Sequence, residues 1–137
     1  MDVTLIPFAK HIGIEKKEEG ILKLQPTDEV QNHIQSIHAA AQFTLAETQS
    51  GLYLQKEFPE LVGKVNAVLR GATVKYKSQV STTVVAEATL FKGNREKFLV
   101  QLERKGRATI VIDVVLYDEE GVVTMQGEFT WFVQELS

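Results

Sequence analysis

The sequence predicts an α+β domain in which an antiparallel sheet of five to six strands wraps around one long central helix. Three observations carry this. Between Glu29 and Lys56, the 26 residues Val30 to Gln55 hold a single formal charge, Glu47, and the second half of that stretch is rich in helix formers. After Pro59 the apolar residues switch to a period of two. The last two apolar runs are joined by Asp118-Glu119-Glu120-Gly121, a turn composition that makes a hairpin.

In chain order, Leu5, Ile6, Phe8 and Ile12 fit a short helix over residues 5–12, with Pro7 tolerated in its first turn. Residues 20–25 carry Ile21, Leu22 and Leu24 and read as a short strand ended by Pro26. Segment 38–56 has few β-branched residues and no charged face, so it reads as a helix buried on most sides, stopping at Gly51 or before Pro59. Val68 to Val80 alternates loosely. Thr82 to Phe91 places Val84, Ala86, Ala88 and Leu90 on one face; Thr109 to Tyr117 does the same with Ile110, Ile112, Val114 and Leu116. Val122 to Val133 aligns Val123, Met125, Phe129, Trp131 and Val133. Between these runs, Phe98, Leu99 and Leu102 sit at helical spacing. Asn94 suits the N-cap, Arg104 and Lys105 the last turn, and Gly106 the position just past it, so residues 94–106 read as a short surface helix rather than a strand. Such a sheet leaves open edges through which a second copy can pair.

The 137 residues are 44% hydrophobic and 24% charged, the make-up of one domain over 1–137 that buries roughly two-thirds of its unfolded surface. A formal charge of −3 argues against a nucleic-acid partner. No apolar run approaches the ~20 residues of a membrane span, and no secretory pattern opens the chain, so no membrane partner and a cytoplasmic location are expected. The absence of cysteine excludes disulfides, thiolate zinc sites and cysteine nucleophiles. His33 and His38 are five apart rather than the three or four that share a helix face, and Glu47 lies nine beyond His38, so no metal site is expected. Gly-x-Ser-x-Gly and Gly-x-Gly-x-x-Gly are both missing.

Glu47 is the leading candidate for chemistry. A carboxylate on an uncharged, buried helix has its pKa raised unless it is paired, and no basic residue lies within one turn of it, from Phe43 to Gly51. Such a group is either half of a structural ion pair, with a strand lysine such as Lys75 or Lys77, or a tuned base or nucleophile. His38, at the helix start, reads as a cap or as a catalytic histidine, and Asn32 as a turn residue or as a hydrogen-bonding one; His11 and His33 have nothing to distinguish them. Arg104-Lys105-Gly106-Arg107 is a compact basic cluster, with Lys92, Arg95 and Lys97 nearby, that suits either a solvated turn or a phosphate clamp.

Asn32-His33-Ile34-Gln35-Ser36-Ile37-His38-Ala39-Ala40, followed by Glu47, resembles the hotdog-fold acyl-CoA thioesterases, in particular the group similar to phenylacetyl-CoA thioesterase and its less characterised relatives. That family has an asparagine, six residues later a His-Gly-Gly start to the central helix, and nine residues after the histidine an aspartate or glutamate. Asn32, His38 and Glu47 keep this spacing. Leu45-Ala46-Glu47, Ser50-Gly51, Pro7 to Gly13, Lys105-Gly106-Arg107 and the final strand pair are also similar, so the resemblance covers essentially the whole chain. Ala39-Ala40 departs from the glycine pair: the amide donors stay, but two methyl groups are added where a thioester would lie.

The resemblance implies a thioesterase with no cofactor beyond the coenzyme A carried by its substrate. The implied catalytic set is Glu47 as base or nucleophile, the Ala39 N–H as oxyanion donor, and Asn32 and His38 shaping the turn or holding carbonyl or water. Ser50 would orient the Glu47 carboxylate or the water, and Lys105, Gly106 and Arg107 would meet the phosphates of coenzyme A. From His38 to Glu47 is about 13.5 Å along one helix and half a turn out of phase. Two antiparallel helices from two copies are therefore needed, which implies a homodimer, or a homotetramer of dimers. Two further readings fit the same residues: a non-catalytic acyl-CoA-binding module, favoured by the alanine pair, and a thioester dehydratase or hydratase using His38 or His33 with Glu47. Phe43, Leu52, Tyr53 and Leu54 are expected either to line an apolar tunnel or to form core.

Overall fold

The computed structural model describes residues 1–137, the side chain of Lys92 excepted. A short helix α1 (Pro7–Ile12) precedes a hairpin of β1 (Ile14–Glu18) and β2 (Ile21–Leu24). The long helix α2 (Ala39–Glu57) follows, then β3 (Val65–Tyr76), β4 (Val84–Thr89), α3 (Lys92–Lys105), β5 (Arg107–Tyr117) and β6 (Val123–Glu135). The six strands make one sheet, antiparallel throughout, in the order β1-β2-β4-β5-β6-β3.

The alternation of β5 positions this architecture. Ala108, Ile110, Ile112, Val114 and Leu116 are buried while Arg107, Thr109 and Asp113 are exposed, so one face of the sheet is apolar and packs on α2. Leu45 and Ala46 of α2 join those residues, with Leu22, Val84, Met125, Phe129 and Val133, in a single core. Leu45 is fully buried, and truncating such a residue to alanine costs about 2–5 kcal/mol. A large polar side chain at the centre is satisfied: Gln49 Nε2 donates to the Gly20 carbonyl and its Oε1 accepts from the Leu22 N–H, both at 2.9 Å, which fastens α2 to the first hairpin.

Three elements differ from the sequence reading. Strand β1 was not expected, because four of its five residues are charged and exposed; it is an edge strand, and its charges blunt that edge. Strand β3 begins three residues earlier than expected and ends four earlier, at Tyr76. It is the other edge and buries no residue completely, so it has no clean apolar alternation to read. Helix α3 starts at Lys92, with Phe91 and not Asn94 at the N-cap; the Asn94 N–H instead donates to the Phe91 carbonyl inside the first turn. At its other end Gly106 takes φ +72°, the left-handed cap that glycine adopts without strain.

Candidate active site

One carboxamide shapes the loop that leads into α2. Asn32 Oδ1 accepts from the N–H groups of Ile34 and Ser36 at 3.0 and 3.1 Å, and its Nδ2 donates to the Ser36 hydroxyl at 2.8 Å. The turn so held contains Gln35 at φ +59°, the only non-glycine residue in the left-handed region. Ile37 and His38 then donate their N–H groups to the carbonyls of Val80 and Val30, each at 2.8 Å, which fixes the direction in which α2 starts.

His38 is the N-cap. Its Nδ1 accepts from the Ala40 N–H at 2.9 Å, and its carbonyl accepts from the N–H groups of Ala41 and Gln42 at 2.9 and 3.1 Å. Among the described residues this leaves the Ala39 N–H, the first of the helix, without a partner: an exposed donor at the positive end of nineteen helical residues. The Tyr76 hydroxyl, at the end of the β3 edge, donates to the Ala39 carbonyl at 3.1 Å.

Glu47 lies two turns further along α2 and is half-buried. Burial alone pushes its carboxyl above the ordinary value of 4.5, and among the described residues no cation pairs with it. Lys75 and Lys77 are exposed and neither pairs with it within the chain. The carboxylate borders a cavity of about 540 Å³ between α2 and the β3–β6 edge of the sheet, walled by Gly51, Leu54, Phe58, Trp131 and Val133 among others. Of the four expected tunnel residues only Leu54 lines this cavity; Phe43 packs on Phe129 with ring centroids 5.4 Å apart.

The Ser50 hydroxyl does not bond the Glu47 carboxylate, one of the two roles expected of it. Its hydroxyl donates to the Glu47 backbone carbonyl at 2.7 Å and accepts from the Trp131 indole N–H at 2.8 Å, so it is a buried structural link. Lys105, Gly106 and Arg107 join α3 to β5 at the end of the sheet where β6 finishes, the Gly106 carbonyl accepting from the Glu135 N–H at 2.8 Å. Arg107 is exposed and precedes the inward Ala108, so it falls on the sheet face opposite α2.

Within one chain the structure gathers Asn32, His38, Ala39 and Tyr76 at the start of α2 and sets Glu47 apart, beside the cavity. Ala39 and Glu47 are eight residues apart on one helix, about 12 Å. Tyr76 and Trp131 were not singled out from the sequence as site residues. Their partners lie 37 and 81 residues away, at Ala39 and Ser50, and no local spacing reveals a contact of that kind.

A single long helix against six antiparallel strands in this order is the hotdog fold. The chain belongs to the DUF4442 family, a domain family of unknown function whose pattern matches residues 7–133. No curated protein matches it. A Pseudomonas aeruginosa protein of unknown function, described as a probable thioesterase, superposes with a TM-score of 0.83 at 20% identity, over 98% of this chain and 91% of the other. A Chlorobaculum tepidum protein of unknown function gives 0.82 at 18% identity, over 96% and 88%. A Bacillus halodurans protein solved with CoA gives 0.71 at 21% identity, over 92% and 74%. At these identities the likeness is one of fold. No helix is long and apolar enough to cross a membrane.

Proposed function

We propose that the protein hydrolyses an acyl- or aryl-CoA thioester to the free acid and coenzyme A, in a site built by two copies of the chain. The observation that carries this reading is a half-buried carboxylate, Glu47, without a partner among the described residues, at the edge of an apolar cavity. A lone carboxylate kept in that setting has its pKa moved towards the range in which it exchanges a proton with water at neutral pH.

In the proposed reaction a water molecule attacks the thioester carbonyl carbon while Glu47 takes its proton. The carbonyl oxygen becomes an oxyanion and receives the free Ala39 N–H of the second copy, at the positive end of α2. Collapse of the tetrahedral intermediate breaks the carbon–sulfur bond, and the proton on Glu47 goes to the departing thiolate. Glu47 can alternatively attack the carbonyl directly, breaking the carbon–sulfur bond and expelling the thiolate to give a mixed anhydride, which water then hydrolyses to the free acid and the Glu47 carboxylate. Asn32, His38 and Tyr76 hold the turn and so place the Ala39 N–H. Lys105 and Arg107, with the Gly106 turn, would meet the phosphates of coenzyme A, which is part of the substrate; no other cofactor is invoked. The Bacillus halodurans protein of this fold was solved with CoA, which agrees with a CoA-thioester ligand.

Ala39 and Ala40 favour one other reading, because both methyl groups are at the exposed helix start where the substrate carbonyl would lie. They would suit a module that binds acyl-CoA without turning it over. Free-thiol release from a panel of acyl- and aryl-CoAs, wild type against Glu47→Gln matched for folding, separates the two. Turnover that drops at least about a hundredfold in Glu47→Gln supports hydrolysis. Protection of the protein by CoA against heat, with no turnover on any substrate, supports the binding module instead.

A further inference from the structure

The cavity beside Glu47 has a direction as well as a volume. On α2 its lining falls at Glu47, Thr48, Gly51, Leu54 and Gln55, spacings that keep all five on one stripe of the helix, and Phe58 follows at the C-cap. The eleven residue steps from first to last span about 16 Å. Val65 and Ala67 of β3 and Trp131 and Val133 of β6 make the facing wall. One end is the Glu47 carboxylate. At the other end stand the buried rings of Phe58 and Phe98, tilted at 54° with centroids 5.0 Å apart.

Between those ends the channel is hydrocarbon. Among the described residues Thr48, Gln55 and Asn66 are the polar side chains of its lining besides Glu47, no lysine or arginine lines it, and the Met1 ammonium that lines it donates to Gln55 Oε1 at 3.1 Å. The Thr48 hydroxyl is already spent on the Thr44 carbonyl at 2.7 Å. At mid-channel the helix presents Gly51, where a Cβ would sit 3.4 Å from the Trp131 ring. The bare backbone there lets the indole pack closely on α2, and the methyl groups of a larger side chain would crowd the ring or enter the channel beside it.

We infer that this channel is the acyl site and that the substrate class is the CoA thioester of a straight-chain, unsubstituted hydrocarbon acid, its carbonyl beside Glu47 and its chain running along α2 towards Phe58. The inference rests on the hydrolase reading above and narrows it. Along the stretch walled by Gly51, Leu54, Phe58, Trp131 and Val133, a hydroxyl or second carboxylate on the acyl group would meet apolar side chains and lose its water without replacement. The amide-bearing arm of coenzyme A is a poor occupant for the same reason. A chain of methylenes loses nothing and gains burial at each carbon.

Non-hydrolysable S-alkyl-CoA thioethers, from ethyl to hexadecyl, test this by calorimetric titration of the wild-type protein. Affinity is expected to rise roughly three- to fourfold per added methylene and then to level off where the chain meets Phe58 and Phe98. A thioether ending in a carboxylate is expected to bind at least about tenfold more weakly than its methyl-ended counterpart. Gly51→Val should bring the plateau to shorter chains, and the wild-type ladder stands alone if that variant does not fold. Affinity that is flat with chain length, or equal for the carboxylate-ended probe, overturns the inference. Because the thioethers cannot be hydrolysed, a rising ladder supports the channel even where the matching acyl-CoAs release no thiol, a result that removes only the hydrolase reading. Thiol release with a flat ladder removes only the channel.

Discussion

The Trp131 indole N–H donates to the Ser50 hydroxyl at 2.8 Å, and that hydroxyl donates in turn to the Glu47 backbone carbonyl at 2.7 Å. The strand β6 is thereby tied to the turn of α2 that carries Glu47, while the carboxylate itself stays without a partner among the described residues. Position and ionisation of Glu47 are set by different neighbours: the backbone by a hydrogen-bond relay, the carboxyl by burial.

Removal of that relay should therefore be a stability change first. Ser50→Ala strands a buried indole donor, which costs about 1–3 kcal/mol. Urea denaturation is expected to show a loss of that size, with thiol release reduced by less than about tenfold. A hundredfold loss of rate in a protein of unchanged stability would show instead that the hydroxyl orients the carboxylate.

Glu47 carries a signed pH effect. Folding raises its pKa above 4.5, so the folded chain holds that proton more tightly than the unfolded chain. The associated stability is present below the unfolded value and is lost as pH rises through the higher folded value. Glu47→Gln should remove this slope from the stability–pH profile above about 4.5 and leave the protein no less stable at pH 7. A loss of several kcal/mol at pH 7 in the Gln variant would mean that the carboxylate is held by a cation after all.

The same carboxylate should govern the pH dependence of catalysis. A general base works only when deprotonated, so kcat/KM is expected to rise with pH along a limb whose midpoint lies above the ordinary 4.5 of a glutamate. A midpoint at or below that value would separate the rate limb from Glu47.

His38 acts on the helix through its cap. His38→Ala removes the acceptor for the Ala40 N–H and should cost about 0.5–2 kcal/mol, while His38→Asn restores an acceptor and should recover most of that loss together with activity. Activity that stays at least about a hundredfold down in a stable His38→Asn protein would assign the imidazole to proton transfer, as a dehydratase requires.

Much of this was legible in the sequence. Strands β2, β4, β5 and β6 follow from apolar alternation, because each buries one face, and the central helix from its helix formers and missing charges, because it is buried on most sides. Strand β1 was not legible, since Glu15, Lys16, Lys17 and Glu18 stand exposed on an edge, and the limits of β3 were blurred because it too is an edge. Glu47 was visible as the lone formal charge in a long neutral stretch. The bond of Ser50 was not legible for a geometric reason: three residues on, its hydroxyl falls beside the Glu47 backbone carbonyl and not the carboxylate. The facing of Trp131 was readable from alternation, but its pairing with Ser50 depends on how sheet and helix dock, as does the bond from Tyr76 to Ala39.

The claim on which everything else rests is that the Glu47 of one copy works with the Ala39 N–H of another. Ala39→Pro isolates that donor, since proline is tolerated at the first helical position and His38, at φ −60° and ψ 139°, already has the conformation that precedes proline. Ala39→Pro and Glu47→Gln proteins, each inactive alone, should be unfolded together, refolded as a mixture and assayed for thiol release. Random pairing puts one intact site in half of the dimers, so the mixture should recover about a quarter of wild-type activity. A mixture no more active than its separate components would contradict a site shared between two copies.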